Sequence, residues 1–352
     1  QKYHARSLYY LGLAYYYQED YNKAIVEFTK AEEVAEACDS LYLGMIKGGQ
    51  AFVYRIAFPV SLGDCCVKIY HNECPDDMVR RLCYMIDNPP KVLRSTSFRI
   101  CWPMGLVYDE KKKVRGFYMP TAFPNSRDLY ILSFYTKGKT IADRFKKNVD
   151  WYDKYERNTG EGMMNRFKMI ANISQAFYQI HRSHNYVALD IKPMNILATS
   201  TGKISIVDTD SFQIAESDKI LFPGVAATPE YCAPEFDEQF IQNRPFTISN
   251  DLFSLSVLYY QIIMGVHPFT GVRLLPPYDT EEYSELKPVI HRSLFVYGCN
   301  KRYIEKLSPN PHAFFERMPK SLQLMFIKAF DAPNYRPTME DWCKELFKLI
   351  SR

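Results

Sequence analysis

The 352-residue sequence lacks the features of several common protein classes. It has no run of about twenty apolar residues, so we expect no membrane span. Its net charge is only +4, from 44 basic and 40 acidic residues, which by itself does not imply a nucleic-acid partner. Its nine cysteines include no Cys-x-x-Cys pair. An odd number of cysteines without a signal peptide favours a reduced, cytoplasmic protein over a disulfide-rich secreted one.

The composition indicates a folded protein with more than one unit. Apolar residues make up 47% and charged residues 24%, which excludes disorder, collagen and coiled coil as the main architecture. A length of 352 residues fits two or three packed units. Because the first residue is Gln1 rather than Met, we expect a fragment, for which an upstream leader or further repeats stay open.

The pattern of predicted elements changes twice along the chain. The first 38 residues are helical in pattern, residues 39–125 hold short β-like runs, and residues 126–352 are mainly helical. Strands followed by helices predict an α+β domain with two lobes. We therefore predict a helical hairpin at 1–38, a small lobe at 39–125 and a large lobe at 126–352.

The predicted N-terminal hairpin resembles one tetratricopeptide repeat. Two helical stretches, 8–18 and 22–37, flank a short turn. The residues that match the repeat signature in register are Leu8, Leu11, Gly12, Tyr15, Ala24, Phe28 and Ala31. An ordinary helical hairpin is the alternative. Because one repeat cannot bury its own apolar face, we expect it to pack on upstream repeats or on the small lobe near residues 75–87.

The strongest chemical signal lies at residues 187–214. Asp190, Lys192 and Asn195 fall within six residues, and Asp208 follows 18 residues after Asp190. The sequence around them predicts a β-hairpin that brings Asn195 and Asp208 together. Their oxygens suit Mg²⁺, a hard cation that also takes phosphate oxygens. An Asp near an attacking hydroxyl suits a base or orienting group, and a Lys beside it offsets charge on a transferring phosphoryl group.

This segment resembles the catalytic and metal-binding loops of the eukaryotic-type (Hanks-type) Ser/Thr protein kinases. Further motifs follow in kinase order over about residues 40–350: Val67-Lys68, Ala233-Pro234-Glu235, Asp251, Gly265–Phe269 and Asn334–Pro337. The resemblance implies a two-lobed protein-kinase-like fold of the α+β class. The metal loop, Asp208 to Phe212, is similar to the Asp-x-Asp-Ser-Phe variant of a bacterial branch, whose members often accompany phosphatase and von Willebrand-type partners.

The resemblance also implies which residues bind ATP, its metal and the acceptor. Asp190 would orient a Ser or Thr hydroxyl, and Lys192 would steady the γ-phosphate. Asn195 and Asp208 would hold Mg²⁺, with Mn²⁺ as an alternative. The implied nucleotide-binding residues are Lys68 for the α- and β-phosphates, Gly48 and Gly49 in the glycine loop, the apolar walls Ile46, Val53, Val67 and Leu197, the gatekeeper Met119, and the hinge residues Thr121 and Ala122.

The glycine loop and the catalytic loop both depart from the family pattern. Of three family glycines only Gly48 is present, because Ile46 and Ala51 replace the others and restrict close approach to phosphate. Leu189 replaces the Arg that clamps a phosphorylated activation segment. We therefore expect no need for phosphorylation of that segment. Asp210 adds a carboxylate that would either join the metal's coordination shell or cap the next turn.

Two predicted ion pairs differ in how well the sequence defines them. The motifs imply a buried pair between Glu235 and Arg336. The helix expected to supply a Glu to Lys68 spans residues 75–90 and contains none, so Asp77 is the candidate. Failure of that pair would leave the kinase inactive or dependent on a partner.

Three functions are compatible with these residues. The first is a Ser/Thr protein kinase that uses Mg-ATP, with a protein substrate, regulatory partners bound through the helical repeat and a cognate phosphatase. Lys192, two residues after Asp190, resembles the Ser/Thr rather than the Tyr type. The second is a pseudokinase that acts as a regulatory binding module or scaffold. The third, a small-molecule phosphotransferase, is disfavoured by the Ala233–Glu235 segment, which seats a peptide in the family.

Overall fold

A computed structural model describes residues 51–56, 62–133, 149–183 and 185–351 of the chain, together with Lys23 and Ile46–Lys47. The predicted helical hairpin at 1–38 and the loop residues Gly48 and Gly49 lie outside the described residues, apart from Lys23. The described residues fall into two compact units. The first holds residues up to Pro89 and Cys101–Thr121, and the second holds Pro90–Ile100 and the residues from Ala122 onward.

Most strands come before most helices along the described residues. The strands are β1 (Ile46–Lys47), β2 (Ala51–Arg55), β3 (Cys65–Tyr70), β4 (Phe98–Ile100), β5 (Gly105–Tyr108), β6 (Val114–Pro120), β7 (Arg127–Asp128), β8 (Tyr186–Val187), β9 (Ile196–Ala198), β10 (Ile204–Ile206), β11 (Gln213–Glu216), β12 (Lys219–Phe222), β13 (Val272–Leu274) and β14 (Ile304–Lys306). The helices are α1 (Asp76–Asp87), α2 (Tyr130–Ser133), α3 (Val149–Lys154), α4 (Gly160–His181), α5 (Phe236–Ile241), α6 (Ile248–Met264), α7 (Leu286–His291), α8 (Lys320–Asp331) and α9 (Met339–Ile350).

The first unit is an antiparallel sheet with one helix. The strand order is β1-β2-β3-β6-β5, and helix α1 packs beside β5. Leu82 and Met85 are fully buried on the inner face of α1, and the Met85 carbonyl accepts a 2.8 Å hydrogen bond from the Trp102 indole. The helix ends before Pro89 and Pro90, since a residue that precedes proline is disfavoured in the helical conformation.

The second unit is built around helices α4 and α6. Nearly every side chain of α6 is buried, so this 17-residue helix forms the centre of the unit. The Thr247 hydroxyl caps its first turn, and Gly265 ends it in the left-handed conformation, φ 68°. Aromatic side chains that surround Tyr260 with edge-to-face contacts include Phe295 and Phe326. Among the helices that the structure describes, none is long and apolar enough to span a membrane.

Two small sheets of the second unit carry the loops that matter for function. In the first, the order is β4-β10-β9-β7, with β4 parallel to β10 and β9 antiparallel to it. In the second, β11 lies between β8 and β12. The loops that follow β8 and β10 contain the residues singled out in the sequence.

Candidate active site

The loop after β8 is held in place by Asp251, a fully buried residue of α6. Its carboxylate accepts hydrogen bonds from the backbone N–H of Ala188 at 2.8 Å and of Leu189 at 2.9 Å. The buried His181 ring also contacts it, with Nε2 at 3.1 Å. These bonds fix Leu189 in the left-handed conformation, φ 62°, which is uncommon for a residue with a branched side chain. Asp251, one of the kinase-like motif residues in the sequence, therefore supports this loop.

Asp190 is the centre of a polar cluster at the tip of the loop. One carboxylate oxygen accepts a 2.6 Å hydrogen bond from the Thr228 hydroxyl, and the other lies 2.8 Å from the Lys192 ammonium. Lys192 also donates to the Thr228 hydroxyl at 3.2 Å. The structure therefore places the two residues predicted to be catalytic within direct contact of each other.

The predicted hairpin that joins Asn195 to Asp208 is confirmed. Ile196 in β9 lies opposite Ile206 in β10, and the Val207 N–H donates to the Asn195 carbonyl at 3.1 Å. Asp208 is the residue after Val207, so the hairpin brings it close to Asn195. The amide nitrogen of Asn195 donates to the Asp190 carbonyl at 2.8 Å and to its carboxylate at 3.1 Å. This orientation leaves the amide oxygen of Asn195 as the atom that can bind a cation.

Asp208 itself adopts the left-handed conformation, φ 61° and ψ 32°. A short 3₁₀ turn, Thr209–Ser211, follows it, and the Ser211 hydroxyl donates to the Asp208 carbonyl at 2.7 Å. Asp210 lies inside this turn, 5% exposed. Its two predicted alternatives, metal binding and capping, stay predictions. Leu197, which the sequence predicts as an apolar wall of the nucleotide site, lies in β9 opposite Ser205 of β10.

In the first unit, strand register decides which residues share a face with Lys68. Lys68 in β3 lies opposite Val53 in β2 and Phe117 in β6, and its ammonium is 5.9 Å from the Phe117 ring centroid. Met119 lies opposite Cys66, two residues from Lys68, so both are on that same face. Ile46 lies opposite Val53 in the register of β1 and β2.

The structure corrects the prediction that Val67 is a wall of the nucleotide site. Val67 is adjacent to Lys68, and adjacent strand residues point to opposite faces of a sheet. It packs instead in the buried cluster with Ile56 and Cys65. Cys66, which the sequence analysis did not select, takes its place on the Lys68 face and is 5% exposed. Burial raises the pKa of its thiol to about 11, so this cysteine is an apolar packing group at neutral pH.

The backbone N–H of Thr121, one of the two predicted hinge residues, already donates a hydrogen bond. The Thr121 N–H donates to the Asp64 carbonyl at 2.9 Å within the first unit. It therefore cannot donate to an adenine ring without breaking that bond.

The choice of Asp77 as the partner of Lys68 is wrong. Asp77 lies in the first turn of α1 with its side chain 81% exposed, where it pairs with Arg80. The buried face of α1 carries Arg81, Leu82 and Met85, so its buried charged residue is a cation. Glu73, which precedes the helix, pairs with Lys113 at 2.7 Å. A glutamate inside this helix would have identified the partner of Lys68, but residues 75–90 contain none.

Thr228 was not predicted as a site residue from the sequence. It precedes the Ala233-Pro234-Glu235 motif by five residues, and this spacing was the available signal.

The predicted pair between Glu235 and Arg336 is confirmed. The guanidinium contacts both carboxylate oxygens, with Nη2 to Oε2 at 3.0 Å, and the Arg336 side chain is 1% exposed.

Comparison with known proteins agrees with this geometry. The protein kinase domain family matches residues 117–347. The chain is 24% identical over 315 residues to Protein kinase YegI of Escherichia coli (strain K12), across 86% of this chain and 43% of that protein. It is 28% identical over 180 residues to Serine/threonine-protein kinase GRIK1 of Arabidopsis thaliana, across 51% and 40%. It is 30% identical over 151 residues to Citron Rho-interacting kinase of Mus musculus, across 42% and 7%.

The chain therefore spans less than half the length of each of these three relatives. The family match covers about two thirds of the chain and includes the end of β6 from Phe117 onward, the loops after β8 and β10, and the Glu235–Arg336 pair. The chain belongs to the protein kinase family.

Proposed function

We propose that this chain transfers the γ-phosphate of Mg-ATP to Ser or Thr hydroxyls of a protein substrate. The observation that carries the proposal is the cluster of Asp190, Lys192 and Thr228. A carboxylate held by a hydroxyl and an ammonium can orient an acceptor hydroxyl and receive its proton. The ammonium next to it offsets negative charge on the phosphoryl group.

The residues predicted to bind metal have the right chemistry for it. Asn195 offers an amide oxygen and Asp208 a carboxylate, which are hard oxygen ligands of the kind that Mg²⁺ prefers. The metal, when bound, neutralises charge on the β- and γ-phosphates. We infer that Asn195 and Asp208 hold this ion, with Mn²⁺ as an alternative.

The first unit supplies the residues proposed for the nucleotide. Lys68 would hold the α- and β-phosphates, and Val53, Cys66 and Met119 on the same sheet face would line the adenine site. Leu197 of the second unit keeps the wall role that the sequence predicts for it. Gly48, Gly49, Ile46 and Ala122 keep their proposed roles from the sequence. The regulatory partners, the cognate phosphatase and the cytoplasmic location likewise stay proposals, supported by the repeat-like sequence at 1–38 and the similarity to a bacterial kinase.

The test is phosphoryl transfer with labelled ATP. The protein is incubated with Mg²⁺ or Mn²⁺ and a generic basic protein substrate, beside Asp208→Ala and the matched surface variant Asp153→Asn. We expect the wild type and Asp153→Asn to label the substrate, and Asp208→Ala to lose both transfer and metal-dependent ATP binding. Failure of the wild type to label itself or the substrate with either metal would contradict the proposal and favour the pseudokinase.

A further inference from the structure

A cavity of about 570 Å³ lies in the second unit directly beside the candidate acceptor site. Lys192 and Thr228, which both contact Asp190, form part of its wall. Its volume lies within the range of about 300–1,000 Å³ that is typical of ligand sites. The cavity is therefore continuous with the place where a substrate hydroxyl is proposed to react.

The remaining wall of the cavity is mainly apolar, and its buried polar groups are already bonded within the protein. The apolar part includes Pro193, Met194, Val266 and Leu286. Gln261 is 2% exposed, and its side-chain oxygen accepts a 3.0 Å hydrogen bond from the Tyr231 hydroxyl. A neutral amide engaged in this way offers no charge to a ligand.

His267 is also part of the wall and is uncharged at neutral pH. Its Nδ1 accepts from the Phe269 N–H at 3.3 Å, so its Nε2 carries the proton and donates to the Glu230 carbonyl at 3.0 Å. Burial lowers the pKa of the ring to about 4. The ionised groups of the wall are then Lys192, which is paired with Asp190, and Glu230, which is exposed to solvent.

We infer that this cavity receives an uncharged apolar side chain of the substrate peptide, of the size of Leu, Met or Phe, close in sequence to the acceptor Ser or Thr. The inference rests on the proposed function, because the peptide is its acceptor. An extended peptide advances about 3.3 Å per residue, so a cavity that shares walls with the acceptor site is reached within about four residues. Among the residues that the structure describes in this wall, none offers a buried carboxylate to a basic side chain.

The experiment uses two matched peptide sets. The first holds one Ser acceptor and carries Phe, Leu, Ala, Arg or Glu at one position at a time on either side. The second has Ala in place of the Ser, and its binding is followed by fluorescence anisotropy. In both sets we expect one position at which Phe or Leu is preferred over Ala and Arg by about tenfold or more, in kcat/KM or in affinity.

Two variants and one control assign the preference to the cavity. Val266→Phe fills the space and should abolish the preference, so that the Phe, Leu and Ala peptides give similar kcat/KM values and similar affinities. Gln261→Glu keeps an oxygen for Tyr231 but adds a carboxylate, so the favoured residue should shift toward Arg. Gln239→Glu makes the same change outside the cavity wall, at a side chain whose oxygen accepts from Asn250 at 2.8 Å. It should behave as the wild type, and melting temperatures verify that each variant is folded.

The outcomes separate this inference from the proposed function. Transfer without any preference, or with Arg preferred by the wild type, would overturn the inference and leave the kinase activity standing. An unchanged preference in Val266→Phe would also overturn it. No transfer to any peptide, with an apolar binding preference that Val266→Phe removes, would support the cavity assignment and refute the proposed activity.

Discussion

Removal of Arg336 should destabilise the second unit strongly. Its guanidinium contacts both oxygens of Glu235, donates from Nη1 to the Ser249 hydroxyl at 2.8 Å, and donates from Nε to the Ala329 carbonyl at 3.0 Å. The side chain is 1% exposed, whereas that of Glu235 is 22% exposed. Arg336→Ala therefore leaves a poorly solvated carboxylate and two acceptors without their donor.

The expected loss of unfolding free energy follows from the cost of leaving one charged partner of a buried ion pair without the other. That cost is roughly 3–5 kcal/mol, and the partial exposure of Glu235 places Arg336→Ala near the lower value. For a unit of this size, about 3 kcal/mol corresponds to a fall in melting temperature of about 6–12 °C. Arg336→Lys keeps the charge but loses the two-pronged contact, so we expect an intermediate fall.

Differential scanning fluorimetry with urea unfolding as a second readout measures these changes. The matched control is Arg273→Ala, which removes an exposed pair with Glu305 at 3.5 Å, with side chains 72% and 53% exposed. We expect that control to lose less than about 1 kcal/mol. If Arg336→Ala melted no lower than Arg273→Ala, the reasoning about burial would be refuted.

Three further predictions concern regulation, the catalytic loop and pH. Leu189 is buried against Gly224, so closely that a Cβ added to Gly224 would lie 2.4 Å from the Cδ1 atom of Leu189. Leu189 thus makes an apolar contact at the position where the family has the Arg that clamps a phosphorylated activation segment. Phosphatase treatment should therefore leave most activity, and near-complete loss in a radiometric assay would contradict this. Asp251→Ala should lower kcat by on the order of a hundredfold, because two backbone N–H groups lose their acceptor and the loop loses its geometry. An unchanged kcat would refute that role. Burial lowers the pKa of His312 to about 4, below its ordinary 6.5, so the unfolded state binds more protons between those values and stability falls as pH drops from about 6.5 to 4. Urea unfolding at pH 7 and pH 5 should show this loss, and His312→Gln should reduce it; an equal loss in the variant would contradict the assignment.

The parts of the site that local sequence defines were predictable. Asn195 and Asp208 are joined by a short hairpin, whose register follows from two apolar runs and the turn between them. The Asp251 contacts and the Glu235–Arg336 pair link residues far apart in the chain, and only their motif positions identified them. Both then appear as buried, hydrogen-bonded charges, which is how a charged group inside a protein is stabilised.

The errors have physical reasons as well. Val67 is apolar and adjacent to Lys68, but the two-residue period of a strand places Cys66 rather than Val67 on the Lys68 face. Asp77 has the charge that a partner of Lys68 needs, but its position in the first turn of α1 leaves it exposed beside Arg80. Thr228 was missed because its only signal in the sequence is its spacing from the Ala233-Pro234-Glu235 motif, and its contact with Asp190 appears only in the fold.

The most direct test of the account is Asp190→Asn, measured for both phosphoryl transfer and ATP binding. Asparagine keeps the size of the side chain but cannot accept a proton from the acceptor hydroxyl. The account predicts loss of transfer to a Ser peptide with binding of Mg-ATP largely unchanged, since Asp190 acts on the acceptor. Transfer by Asp190→Asn at the wild-type rate would contradict the central role of this carboxylate.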